Sequence, residues 1–244
     1  MVYYLSTWWR WLCRCKYCRG FGVQSPSAYS FIRYVINEHY PYYAYSELEE
    51  RYEMPGRLQH KLGRLLFRLA NYWQPEKCYS IESLYFPYIN AGCYKTVLCT
   101  LYDLYDSSTK NLVVIDLDHI DKDELYSSIL PFCNDSTLLV VLGLNHGKNK
   151  QYWHRLQYSE YTGITYNLYY AGIVFFDKSK YKQHYQVNFY NKRVASSHGW
   201  TTLSFFLKNL IYLLIYVCDD YESFALNSFY PFYLHHQSLS FLFV

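Results

Sequence analysis

Two aspartates and a histidine follow directly on a short apolar run in "NLVVIDLDH", and their side chains could do chemistry. Asp116, Asp118 and His119 offer oxygen and imidazole groups that can bind a divalent cation or move a proton. Ligand sites in parallel sheets form at the carboxyl ends of such strands. Asp116 and His119 are therefore candidate catalytic residues, and Asp116 and Asp118 are candidate metal ligands. The alternative is that the aspartates cap a helix starting at "DKDEL", where carboxylates accept free backbone N–H groups.

Two other segments carry polar side chains that could bind ligands. "LNHGKN", residues 144–149, offers His146 as a base, but we favour a polar loop between a strand and a helix. "CRCKYC" supplies Cys13, Cys15 and Cys18, but a zinc site needs a fourth ligand, and none lies nearby in the sequence. The neighbouring tryptophans and basic residues instead favour a surface helix that packs on the domain through its aromatic face. A membrane surface or RNA would also suit that composition.

The overall composition limits the class of protein. The chain has 244 residues, of which 51% are apolar, enough for one domain with a sizeable core. Its net charge of +3 gives no argument for a specific nucleic-acid partner, because that argument needs a clustered basic face. The first eleven residues lack the features of a secretory signal, and the 8 cysteines show no even pairing. We therefore expect a cytoplasmic protein with free thiols.

The spacing of apolar residues predicts helices in the first third of the chain. "SAYSFIRYVINEHY" carries one helical stripe that ends at Pro41. "RLQHKLGRLLFRLANYW" is an amphipathic helix that ends at Pro75. Further along, "KDELYSSILPFC" and "KNKQYWHRLQ" predict helices that connect strands.

Short apolar runs predict the strands of an α/β sheet. Parallel central strands are expected at about Lys77–Leu84, Asn111–Asp118 and Ser136–Leu142, with an antiparallel hairpin across Ala171–Gly172. "KTVLCTLY" and "HYQVNFY" predict two further strands. Only "DLYDSSTK" separates "KTVLCTLY" from "NLVVIDLD", whereas a parallel crossover needs about a dozen residues. These two strands are therefore not expected to be parallel neighbours joined by a helix.

Several longer segments together resemble one family. They are "RGFGVQSPSAYSFIRYVINEHYPYYAY", "KLGRLLFRLANYWQPEK", "VVIDLDH", "STLLVV", the helix around Trp153, and "GITYNLYYAGIVFFDKSKYKQHYQVNF". Over roughly residues 14 to 190, the chain resembles a Bacteroidetes family of class I S-adenosylmethionine-dependent methyltransferases, of the O-methyltransferase kind. The resemblance implies a Rossmann-like seven-stranded sheet, here partly truncated, with an N-terminal helical extension. It also implies methyl transfer from S-adenosylmethionine to a hydroxyl of a small-molecule substrate.

The resemblance also assigns the cofactor loop. Glu82, at the end of the first strand, stands where the family has an acidic residue that orients the cofactor, and Asp103 could bind the ribose hydroxyls. The family has glycines after that acidic residue, where this chain has "SLYFP", residues 83–87, with the bulky Tyr85, Phe86 and Pro87. These residues add bulk and a fixed φ where the backbone must approach the cofactor closely. We therefore predict that the cofactor site is eroded and that S-adenosylmethionine does not bind in the micromolar range.

The resemblance also indicates which positions would bind a metal ion. Metal-assisted members of such families hold a cation between carboxylates that follow two neighbouring strands. Asp116 and Asp118 supply one group, but Leu142 and Gly143 occupy the positions of the other acidic pair. Magnesium prefers near-octahedral oxygen ligation, so we do not expect it to bind tightly.

These observations predict an N-terminal helical extension at 1–56, a Rossmann-like domain at 57–191 and an apolar tail at 192–244. "LSFFLKNLIYLLIYVC" in the tail falls short of the about 20 residues that a membrane span needs. The tail could cover the sheet, bind a membrane surface or partner, or be translated sequence without a folded role, which we favour. The predicted function is an O-methyltransferase-like protein with weak or absent activity. A non-catalytic binding or assembly protein and a decaying reading frame are the alternatives.

Overall fold

The computed structural model describes Arg14, Tyr17, Asp123 and residues 20–81, 83–104, 109–121 and 125–189. The chain divides into two compact units, Met1–Tyr190 and Asn191–Val244, and all described residues belong to the first. Some predictions concern residues outside the described set: the tail, the acidic residue of the cofactor loop and the cysteines of "CRCKYC" (192–244, Glu82, Cys13, Cys15 and Cys18).

The described residues form a mixed seven-stranded sheet with the strand order β2-β1-β3-β4-β6-β5-β7. Strands β2, β1, β3 and β4 are parallel, β6 runs antiparallel to β4 and β5, and β7 is parallel to β5. The α/β prediction is confirmed, and the sheet is compatible with a Rossmann-like fold. The strands are β1 Lys77–Ser80, β2 Val97–Cys99, β3 Asn111–Asp116, β4 Thr137–Leu142, β5 Ile164–Asn167, β6 Ala171–Phe175 and β7 Gln183–Gln186.

The central strands are those that the apolar runs predict. All of β4 and all but the last residue of β3 are buried, because helical segments cover both faces of the sheet. The antiparallel hairpin is also present, but its turn lies earlier than predicted: it centres on Tyr169, which has a φ of 78°, and Ala171 and Gly172 belong to β6. Strand β1 ends at Ser80, earlier than predicted, because the chain turns into a short helix that begins at Phe86.

The connection after β2 is short, and the sequence predicts that β2 and β3 are therefore not parallel neighbours. The sheet agrees with this prediction. Strands β2 and β3 are parallel, but β1 lies between them, so they are not neighbours. A 3₁₀ turn, Leu101–Asp103, follows β2. Among the described strands, β2 is therefore the edge of the sheet on this side.

Five helices lie beside the sheet in the described part of the chain. Helix α1 starts after Ser25, whose hydroxyl accepts the Ala28 N–H, and continues as a π turn over Ile32–Ile36. The amphipathic helix α3 matches its prediction and ends before Pro75. The helices are α1 Pro26–Phe31, α2 Tyr43–Arg51, α3 Arg57–Trp73, α4 Phe86–Gly92 and α5 Asn149–Gln157.

Two apolar cores lie on the two faces of the sheet. Side chains of α1, α3 and α4 pack with Leu112 and Val114 on one face. Side chains of α5 pack with Val113 and Ile115 on the other. The alternation along β3 follows from the two-residue period of a strand. Helix α1 thus shares a core with the sheet, whereas α2 packs against α3 and α4 in a separate cluster.

One predicted helix has a different form. "KDELYSSILPFC" forms a π turn at Leu125–Ile129 and a 3₁₀ turn at Leu130–Phe132. Pro131 accounts for the difference, because proline lacks an N–H and its ring clashes with the preceding helical turn. Within the described residues, no helix combines the length and apolar character that a bilayer crossing requires.

Candidate functional site at the carboxyl edge of the sheet

The candidate residues after β3 form a tight turn at the carboxyl edge of the sheet. Asp116 is the last residue of β3, and its Oδ1 accepts the backbone N–H of Asp118 at 2.9 Å. Its carbonyl accepts the N–H of His119 at 3.1 Å. Asp116 therefore shapes the turn itself, in an Asx arrangement, rather than capping a following helix.

Gly143 lies against this turn at the end of β4. It has a φ of +75°, which side-chain-bearing residues rarely adopt, and a Cβ there would lie 2.7 Å from Asp116 Oδ1. The same Cβ would lie 3.2 Å from Asp118 Oδ2. A glycine at this position therefore allows the turn after β3 to pack against the end of β4.

Asp118 is held by two side chains from the following loop and helix. His146 Nδ1 contacts Asp118 Oδ2. Asn149, the first residue of α5, donates from Nδ2 to Asp118 Oδ1 at 2.7 Å and to the Gly143 carbonyl at 3.0 Å. Burial raises the pKa of Asp118, but the hydrogen bonds from His146 and Asn149 lower it more, so that the net pKa lies below the ordinary 3.8. The pair of Asp118 and His146 can orient an imidazole for proton transfer.

Sequence reasoning identifies part of this cluster. His146 is a candidate base in the sequence, and the structure pairs it with Asp118, although its side chain is still 58% exposed. Asn149 belongs to the same cluster, and the sequence reasoning missed it. Its position at the start of the predicted helix after "LNHG" was the available signal, because that end of a helix lies at the carboxyl edge of the sheet.

A small depression lies beside the turn. It encloses about 280 Å³ of space, including the part open to solvent. Tyr85, which is only 8% exposed, forms one wall and belongs to the apolar core. The lining residues are Ser80, Ile81, Tyr85, Val114, Asp116, His119 and Leu142.

The structure brings only some of the predicted cofactor and catalytic residues together. Asp116 and His119 both line the depression, and Asp118 lies next to them. Asp103 is not part of this lining; it ends the 3₁₀ turn after β2, and its Oδ2 accepts the Thr100 hydroxyl at 2.6 Å. The depression therefore lacks the contribution that the resemblance assigns to Asp103.

The proposed metal ligands are engaged with protein groups. Asp118 uses both oxygens for His146 and Asn149, and Asp116 Oδ1 accepts a backbone N–H. Among the residues that the structure describes, no group of three or more His, Cys, Asp or Glu side chains could hold a metal ion. The hydrogen bonds of Asp116 and Asp118 thus hold the turn after β3.

Comparisons with protein-family models, with curated proteins and with solved structures gave no significant match for this chain.

Proposed function

We propose that this chain is a class I S-adenosylmethionine-dependent O-methyltransferase-like protein whose cofactor site is closed. The observation that carries the proposal is the buried side chain of Tyr85 beside the carboxyl end of β1. It lines the depression together with Asp116 and His119, where a doubly wound sheet binds its ligand. The parallel strands β2-β1-β3-β4 and the antiparallel hairpin support the resemblance on which the family assignment rests.

The residues next to Tyr85 in the chain help to hold its side chain in the depression. Tyr85 and Phe86 both pack against the core beneath α1, α3 and α4. Pro87 lies in the first turn of α4 and fixes the backbone there. Turning Tyr85 out to admit a ligand would expose an aromatic side chain to water, at a cost of about 2 kcal/mol. A cofactor would have to offset that cost before gaining any affinity.

Isothermal titration with S-adenosylmethionine and S-adenosylhomocysteine tests the proposal. We expect no binding in the micromolar range for either compound. A clear micromolar isotherm would overturn the closed-site proposal and restore the enzyme. In that case, loss of binding in Asp103→Asn but not in Asp123→Asn would assign the ribose contact to Asp103, because both are exposed aspartates and only Asp103 is a predicted ligand.

A non-catalytic binding or assembly role is the second candidate function. The exposed apolar side chains on and beside β2 favour it over a decaying reading frame, because a sheet edge of this kind is suited to pairing with another chain. We also propose the cytoplasmic setting that the sequence predicts, which would keep the thiols of Cys78, Cys93, Cys99 and Cys133 reduced.

A further inference from the structure

Strand β2 forms an apolar edge of the sheet. Val97 is 60% exposed and Leu98 is 37% exposed, although both belong to a strand. Tyr94 before the strand and Tyr102 after it are each 80% exposed. Natural edge strands are usually protected by charged residues, and from Tyr94 to Tyr102 only Lys95 carries a charge. This edge therefore has the character of a pairing surface.

The backbone of β2 is oriented for pairing on its outer side. The Val97 N–H donates to the Glu76 carbonyl at 2.9 Å, so Val97 turns its backbone groups toward β1. Because these groups alternate along a parallel pair, the N–H and C=O of Leu98 point away from β1. Thr100 continues the extended backbone, with a φ of −74° and a ψ of 153°. No other described strand lies on this side.

The sequence of the edge is nearly symmetric about Leu98. In "YKTVLCTLY", residues 94–102, a threonine lies two positions from Leu98 on each side, and a tyrosine lies four positions away on each side. Val97 and Cys99, next to the centre, are similar in size. When two such strands pair antiparallel about a two-fold axis through Leu98, most residues face a like or similar partner, and the exception is Lys95, which faces Leu101.

We propose that β2 pairs antiparallel with β2 of a second copy of this chain, with Leu98 facing Leu98 across a two-fold axis. A two-fold interface requires a self-complementary surface, which the symmetric sequence supplies. The aromatic residues that flank the ladder are a favourable combination. The Thr96 hydroxyl is buried and donates to the Pro75 carbonyl at 2.8 Å, so the backbone of Leu98 carries the pairing at the centre. The ladder is short, so the dimer is a weak one with a small interface, below about 1,200 Å². The inference holds whether or not the protein binds a cofactor.

Sedimentation velocity of the full chain over a wide concentration range tests the pairing. We expect a monomer–dimer equilibrium in the wild type. Leu98→Lys and Leu98→Asp should each weaken dimerisation about tenfold or more, because like charges would face each other at the axis. An equal mixture of the two variants should dimerise again, since opposite charges then meet. Tyr43→Lys, at a 93% exposed position on α2, should behave as the wild type.

Several results would overturn the proposal. They are a wild type that stays monomeric at every concentration, Leu98→Lys dimerising as well as wild type, or a mixture that does not associate. If a Leu98 variant fails to fold, Val97→Lys replaces it, because that side chain is more exposed. Hydrogen exchange adds a second readout: the Leu98 amide should gain protection as concentration rises. Protection of that amide in a monomer would show that another part of the chain covers the edge.

Discussion

Arg68 on α3 and Asp118 after β3 are both charged side chains with several hydrogen-bond partners, but their surroundings are opposite. Arg68 is 8% exposed and donates to the carbonyls of Val35 at 2.7 Å and Ile36 at 3.0 Å. It also donates to the Tyr45 hydroxyl at 3.3 Å. The side chain of Asp118, in contrast, is 35% exposed. The first charge lies within the fold, and the second lies at its surface.

This difference separates a structural polar cluster from a potential reaction site. Val35 and Ile36 lie in the π turn that ends α1, where carbonyl groups lack partners within the helix. Arg68 satisfies them and so joins α3 to α1. Asp118 has solvent access and a neighbouring imidazole, which are properties that proton transfer needs. Substitutions should therefore have larger effects on stability at the helical face than at the carboxyl edge.

Arg68→Ala should produce the largest loss of stability. The substitution leaves the carbonyls of Val35 and Ile36 buried without their donor, which we expect to cost about 3 kcal/mol. Arg64→Ala is the matched control, one turn earlier on the same helix. Arg64 pairs with Glu49, and its side chain is 42% exposed, so its loss should cost less than about 1 kcal/mol.

Urea unfolding of the two arginine variants measures this difference. The midpoint should fall strongly for Arg68→Ala and little for Arg64→Ala, with the same slope for both. Equal losses would mean that burial does not distinguish the two arginines, and the comparison between the regions would fail.

Gly143→Ala should have an intermediate effect. A side chain at a φ of +75° is strained, and its Cβ would displace the Asp116 carboxylate from the turn, so we expect a loss of about 2 kcal/mol. Gly147→Ala is the control, because Gly147 also has a positive φ, of +32°, but no atom lies within 4 Å of the position that a Cβ would take there. Thermal unfolding should show a clearly smaller loss for Gly147→Ala. An equal loss would assign the whole effect to backbone strain.

The elements that the sequence predicts best are those with a strong local pattern. Helix α3 has a long apolar stripe, and β3 and β4 are continuous apolar runs, so periodicity alone predicts them. The parallel order β2-β1-β3 also agrees with the short spacing after β2. These features depend only on the pattern of neighbouring residues or on the length of a connection, and both can be read from the sequence.

The rest of the site depends on contacts between distant residues. Asp118 meets His146 and Asn149 across 28 and 31 positions of sequence, and only the pairing of β3 with β4 brings them together. Tyr85 and Asp116 likewise line one depression only because the sheet brings these distant residues together. Residue types can nominate such side chains, but their partners follow from the topology of the sheet.

Asp118→Asn should have the smallest effect on stability, and its pH dependence should identify the cause. Because the pKa of Asp118 is lower in the folded chain than its ordinary 3.8, the carboxylate stabilises the fold above about pH 4. That contribution is lost as pH falls through the folded pKa, where both states bind the proton. Asp118→Asn should therefore lie slightly below wild type in melting temperature at pH 7, and the gap should close in acid.

Asp123→Asn, an exposed aspartate, is the control and should follow wild type at every pH. A gap that persists unchanged into acid would show that Asp118 acts through packing rather than through its charge.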